Sequence, residues 1–341
     1  VGRRIGKIGL LLLALANLRV SLAAAPAGEE ILRRAANAAK RVAYRGTRMM
    51  TLWLDSRAEG VECVEYADGH GRFRVEYLAP RAAKGRVIVD DGKVHWQIEP
   101  HSRRALRTPV SPLEAEERWD VALLLKNYKV TVDTRQHIIA HRPTYKLTLT
   151  PKYPGKPHKT LWVDTQTYLV LKREARHADG SPARSTAFSE IIFNPKTPRS
   201  QFEFKPQTGV KRVAAASPSP CKDPQAARTF VGASTRFPQR LPSLGFELRG
   251  AFCREEKGKR TVHLLYEDGI ATLSVFVDKQ TRQVAMKNAK TVSLNGQSAF
   301  LKTDHHFAVL RWSARGLRYT VVGDLTVEAL LRVGRDLYAG R

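Results

Sequence analysis

The sequence predicts an α+β protein in two parts: an antiparallel β-sheet with covering helices, then a smaller α+β domain. Three observations carry this. From Tyr44 to about Phe204 apolar and polar residues alternate with period two, as in "YKLTLT", where Tyr145, Leu147 and Leu149 point one way and Lys146, Thr148 and Thr150 the other. Asp-Gly pairs punctuate the alternation in "YADGHGRFRVEY", "VIVDDGKVHWQI" and "REARHADGSPARS", and Asp-Gly supplies the positive φ that tight hairpin turns need. Between Lys205 and Leu241 the pattern dissolves into "KPQTGVKRVAAASPSPCKDPQ", rich in Pro, Ala and Ser, which marks a domain boundary.

In chain order, residues 1–25 read as a secretory signal peptide. Arg3, Arg4 and Lys7 form a basic start, Ile8 to Leu18 an apolar run, and Ser21, Ala23, Ala24 and Ala25 a small-residue region. The run is about half the roughly 20 apolar residues of a spanning helix. No cysteine lies near the cleavage region to carry a lipid anchor. The predicted first domain, 26–206, opens with the helix "EEILRRAANAAKRV", in which Ile31, Ala35, Ala38 and Val42 recur at helical spacing. A second helix, "SPLEAEERWDVALLLKNY", interrupts the strands; Ser111, Pro112 and Glu114 form a capping box with proline at the first helical position. A linker follows at 207–235. The domain at 236–341 carries the strands "HLLYEDGIATLSVFVD", "KTVSLNG", "QSAFLKT", "HFAVLRWSA" and "LRYTVVGD", then the helix "TVEALLRVGRDL".

The 341 residues include 58 Lys and Arg against 32 Asp and Glu, a formal charge of +26. In a cytoplasmic protein that balance points to nucleic acid, but the export signal excludes that partner. The remaining counterparts are an anionic membrane surface, acidic envelope polymers or an acidic protein face, and a merely solvated basic surface accounts for the charge equally well. Enzyme signatures are missing: there is no G-x-S-x-G, no G-x-x-x-x-G-K-[ST], no H-E-x-x-H and no C-x-x-C. His137 and His141 lie four apart, but in a strand that is roughly 13 Å, too far to share a metal. The expectation is a non-enzymatic protein without cofactor or metal.

Trp53, Trp96 and Trp162 sit in alternating strands, with Tyr145 and Tyr168 on neighbouring ones. Ordinary core is one account. The other is a curved sheet whose helix-covered concave face leaves an apolar cavity for an acyl chain, with Trp53, Trp96, Trp162 and Tyr168 as its lipid-binding residues. Of the three cysteines Cys63, Cys221 and Cys253, an odd count leaves either one bridge and a buried thiol or no bridge. Cys221–Cys253 is the preferred pair, because it would tie an irregular segment to the following domain.

At this point a family resemblance can be given. "GRFRVEYLAP" (Gly71 to Pro80), "VIVDDGKVHWQIEP" (Val87 to Pro100), "LWVDTQTYLVLKREARHADG" (Leu161 to Gly180) and "FSEIIFN" resemble, in order and spacing, the LolA-like lipoprotein-carrier fold of the MucB/RseB family of sigma-E regulators. "LPSLGFEL" (Leu241 to Leu248), "HLLYEDGIATLSVFVD" and "YTVVGDLTVEALLRVGRDL" resemble that family's C-terminal domain, which simple carriers lack. His141 stands where the family often has glycine before Arg142. The resemblance implies a LolA-like half-barrel followed by a MucB/RseB-like domain, exported to the periplasm. It implies an envelope-stress regulator of sigma-factor activity that binds a membrane-anchored anti-sigma factor, protects it from proteolysis and releases it on sensing lipid or lipoprotein acyl chains. The alternative is a periplasmic lipid or lipoprotein carrier of the LolA type.

Overall fold

The computed structural model describes residues 26–341 apart from 55–56, 100–103, 109–118, 205–210, 215–218, 235–236, 280–285, 305–306 and 340–341. The signal segment and the capping box at Ser111 lie outside the described residues. The first helix, α1 (Gly28–Arg41), places Glu29 and Glu30 in its first turn and Lys40 and Arg41 in its last, the arrangement the helix dipole favours. It buries Ile31, Leu32, Ala35 and Ala38.

The strands then run as two antiparallel meanders. One comprises β1 (Ala43–Leu54), β2 (Arg57–Asp68), β3 (Phe73–Ala79), β4 (Val87–Asp90), β5 (His95–Glu99) and β6 (Arg104–Thr108). The other comprises β7 (Tyr128–Ile139), β8 (Arg142–Pro151), β9 (His158–Asp164), β10 (Val170–Arg176) and β11 (Pro182–Phe193). Pairing of β1 with β11 joins them into one twelve-stranded sheet ordered β12-β6-β5-β4-β3-β2-β1-β11-β10-β9-β8-β7, with β12 (Lys211–Ala214) parallel to β6. Between the meanders lies α2 (Val121–Asn127), where Asp120 Oδ1 accepts the Leu123 N–H at 2.9 Å. The helix expected to reach Tyr128 stops at Asn127, because Tyr128 already opens an edge strand. One face of the sheet packs on both helices: Ile31, Leu32, Ala35 and Leu124 meet Tyr128, Leu147, Leu149, Leu161 and Val163. This is the antiparallel sheet with covering helices that the alternation predicts.

The second sheet has nine strands: β13 (Ser219–Pro220), β14 (Arg240–Leu241), β15 (Phe246–Glu256), β16 (Lys259–Glu267), β17 (Thr272–Asp278), β18 (Lys290–Leu294), β19 (Gln297–Asp304), β20 (Phe307–Ala314) and β21 (Leu317–Gly323). Their inward rows, such as Leu264, Leu273, Val275 and Val321, form a core with two helices, α3 (Pro224–Val231) and α4 (Val327–Ala339). This is the smaller α+β part.

The stretch read as a bare linker, 207–235, is a partial correction. It adds a strand to each sheet and contains α3, which buries Ala227 and Val231 in the second core. Composition hid a local signal: Asp223 caps the helix by accepting the Ala226 N–H, Pro224 occupies its first turn, and Gly232 ends it in the left-handed region. Cys221 and Cys253 are joined by a disulfide and Cys63 is a buried thiol.

Candidate functional site

The four aromatic residues expected to bind lipid do not form one cluster. Trp53, half-buried near the end of β1, lines a cavity of about 490 Å³. Trp96 on β5 lies against Phe204, the rings tilted by 31° with centroids 4.7 Å apart. Trp162 on β9 is 7% exposed; its neighbours Leu161 and Val163 face the helices, so its ring takes the opposite face. There it is covered by the Lys146 and Lys172 ammonium groups, 5.5 and 4.4 Å from its centroid. Tyr168 lies in the turn between β9 and β10 with φ 60°, so strand parity does not govern it. Arg34 Nη1 donates to its hydroxyl at 3.1 Å, and the guanidinium carbon sits 4.9 Å from its ring centroid.

The Trp53 cavity lies between the two sheets. Leu52, Trp53 and Leu54 form one wall and Ile270, Ala271 and Phe307 from the second sheet the other. Phe307 is 55% exposed. Lys159, Arg173, Arg176 and Arg184 also line the space, with carboxylates from Glu174 and Asp324. Both carboxylates are engaged: Glu174 with Lys172 at 2.7 Å, and Asp324 with His177 Nδ1 at 2.8 Å. His158, on the same wall, has a buried Nδ1 without a hydrogen-bond partner among the described residues. An apolar trough with cationic groups at its edge suits a ligand with a hydrocarbon part and an anionic part.

Beside the cavity the sheets are joined by a dry polar junction. Lys156, in the loop after β8, and Asp268, in the turn after β16, are each 0% exposed, and Lys156 Nζ stands 2.5 Å from Asp268 Oδ2. Nζ also donates to the Leu244 carbonyl at 3.0 Å and faces the rings of Tyr128, Tyr153 and Phe246. The Tyr128 hydroxyl donates to Asp268 Oδ2 at 3.0 Å, and Asn127 Nδ2 donates to the carbonyls of Gly245 and Asp268. Burial lowers the Lys156 pKa, against the opposing pull of Asp268; burial and then the Asp268 charge push the Tyr128 phenol well above its ordinary value. Two glycines allow the approach. A Cβ on Gly245 would lie 1.8 Å from Asn127 Oδ1, and one on Gly269 would lie 2.6 Å from Leu124 backbone.

Lys156 and Asp268 were not singled out by the sequence. Asp268 belongs to an Asp-Gly pair like those at Asp68, Asp91 and Asp179, and nothing local separates the fully buried member from the others. A lysine between Gly155 and Pro157 likewise reads as loop surface. His137 Nε2 lies 3.1 Å from Asp133, and His141 sits in the turn beyond β7; among the described residues no three His, Cys, Asp or Glu side chains gather to hold a metal.

Comparison with known proteins decides the family. The family described as the MucB/RseB N-terminal domain matches residues 27–206, more than half of the chain. The chain belongs to the MucB/RseB family. Its fold is similar to a crystal structure of MucB in complex with MucA(peri), at 19% identity and TM-score 0.61, covering 90% of this chain and 97% of that one. It is also similar to the MucA/MucB complex of Pseudomonas aeruginosa, at 18% identity and TM-score 0.62, covering 90% and 96%. A search of curated proteins gives no match. The coverage shows that both sheets follow the MucB/RseB arrangement.

Proposed function

We propose that the chain is an extracytoplasmic, non-enzymatic regulator of sigma-factor activity that binds the periplasmic part of a membrane-anchored anti-sigma factor. The observation that supports this reading is the match of both sheets, across 90% of the chain, to MucB bound to MucA(peri). Binding shields the partner from proteolysis; lipid or lipoprotein acyl chains cause release. The Trp53 cavity supports the sensing half, since its apolar walls suit an acyl chain and Arg173, Arg176 and Arg184 suit an anionic headgroup. Sensing requires that lipid bind the partner-free form better than the complex.

The test is a pull-down with the extracytoplasmic segment of a membrane-anchored anti-sigma factor from the same organism, with and without an acylated ligand. Stable capture, protection of the segment from protease, and loss of both on adding ligand are expected. Capture unaffected by ligand removes the sensing half, and no capture removes the regulator. A LolA-type carrier is the second reading, favoured by the cavity itself; native mass spectrometry would then find lipid bound while the partner segment is ignored.

A further inference from the structure

Domains joined by a linker usually meet through a polar, yielding interface. Here the junction differs. Lys156 belongs to the first sheet, yet both of its polar partners, Asp268 Oδ2 and the Leu244 carbonyl, come from the second. Parting the sheets therefore takes both polar partners from the buried ammonium and leaves the Asp268 carboxylate only the N–H groups of its own turn until water enters. Such a contact is either made or broken.

The turn that holds Asp268 also builds the cavity. Asp268 Oδ1 accepts the N–H groups of Ile270 at 2.9 Å and Ala271 at 2.6 Å, while Oδ2 takes Lys156 and Tyr128. Ile270 and Ala271 form the cavity wall that faces Trp53. At the cavity lining the first sheet is also tied to the second by His177 and the Ala178 N–H, both on Asp324, and next to Lys156 the Thr326 N–H donates to the Gly155 carbonyl. The cavity takes its walls from both parts, and these contacts join the parts beside it.

We infer that the Lys156–Asp268 pair is a latch whose closure assembles the Trp53 cavity, so that a molecule touching both walls favours the latched form. Linkage makes this reciprocal: the factor by which a ligand favours the latched form is the factor by which latching tightens that ligand, and weakening the pair weakens cavity binding as far as it lowers the latched fraction. The inference concerns the junction alone and holds whichever protein partner the chain has.

The test uses the full chain with Asp268→Asn, Lys156→Met and the double variant, which removes both charges. Hydrogen exchange is followed at the Ile270 and Ala271 amides and at β16, β17 and β21. Small-angle scattering gives the overall dimensions, and 1-anilinonaphthalene-8-sulfonate, apolar rings with one anionic group, probes the cavity. Each single variant should raise exchange at the turn on the order of a hundredfold to a thousandfold, enlarge the scattering dimensions and weaken the probe by the factor by which the latched fraction falls. Exchange in the strands should stay slow, and the double variant should recover most of the closure. Unchanged turn exchange and dimensions in a single variant would overturn the latch. So would loss of protection throughout the strands, since the pair would then be an ordinary stabilising element of the second core. If a single variant does not fold, the double variant decides: wild-type dimensions and probe affinity support the latch, and an open junction in it refutes pairing as the closing device.

Discussion

Cys63 points inward from β2 and is 6% exposed, and burial pushes its thiol up to about 12. The folded value lies above the unfolded one of roughly 8.5, so the contribution to stability is complete below that pH and is lost as pH rises toward 12. Urea unfolding of wild type and Cys63→Ala at successive pH values should show the wild type losing stability faster above pH 8.5, by at most about 1.4 kcal/mol per unit. Arg48 and Glu65 make a second buried site in the same sheet. The Arg48 Nε stands 3.0 Å from Glu65 Oε2, the Tyr44 hydroxyl donates to Oε1 at 2.6 Å, and the guanidinium lies over Phe188. Arg48→Met removes a buried cation from beside that buried carboxylate and should cost about 3–5 kcal/mol in denaturant unfolding; Tyr44→Phe should cost about 1 kcal/mol. Alternation alone assigns such charges to the solvent face. A pair like this becomes visible only when register puts Arg48 and Glu65 on adjacent strands, and register is a property of two segments.

Hairpins were the most legible elements, because their turns are written in two residues. The β7–β8 turn departs from this: Ala140 and His141 both adopt positive φ, 48° and 60°, in a place that favours glycine. Relief of roughly 1–2 kcal/mol of left-handed strain, offset by the roughly 0.5–1 kcal/mol of entropy that glycine loses on folding, gives His141→Gly a net gain of about 0.5–1 kcal/mol. A higher melting temperature checks it. The helix α3 shows the opposite reading error. Its Asp-Pro start and glycine stop were present in the sequence, but a window dominated by Pro, Ala and Ser looked like linker. Helix boundaries depend on single residues, whereas composition averages over many.

For the whole molecule, the two-part α+β plan followed from periodicity and from the family resemblance, and the family match bears that resemblance out. The site was less legible. Strand parity identifies which residues share a face, but the Trp53 cavity draws its walls from β1 and from a turn more than two hundred residues later. No pattern within either segment encodes that meeting. The four aromatic residues consequently separate by test: Trp53→Ala should weaken acyl-ligand binding about tenfold or more in a fluorescence titration, while Trp96→Ala, on the far arm of the sheet, should leave it unchanged.

The sealed charge of Lys156 also bears on how this chain can be divided. A fragment ending near residue 206 keeps the lysine, Tyr128 and Tyr153 but loses Asp268, Leu244 and Phe246. What was interior becomes a wet, sticky surface, with an ammonium lacking its carboxylate beside bare aromatic rings. The boundary that composition suggests is therefore a poor place to cut. Such a fragment should self-associate, and its ligand behaviour would report on the newly exposed face and not on the intact protein.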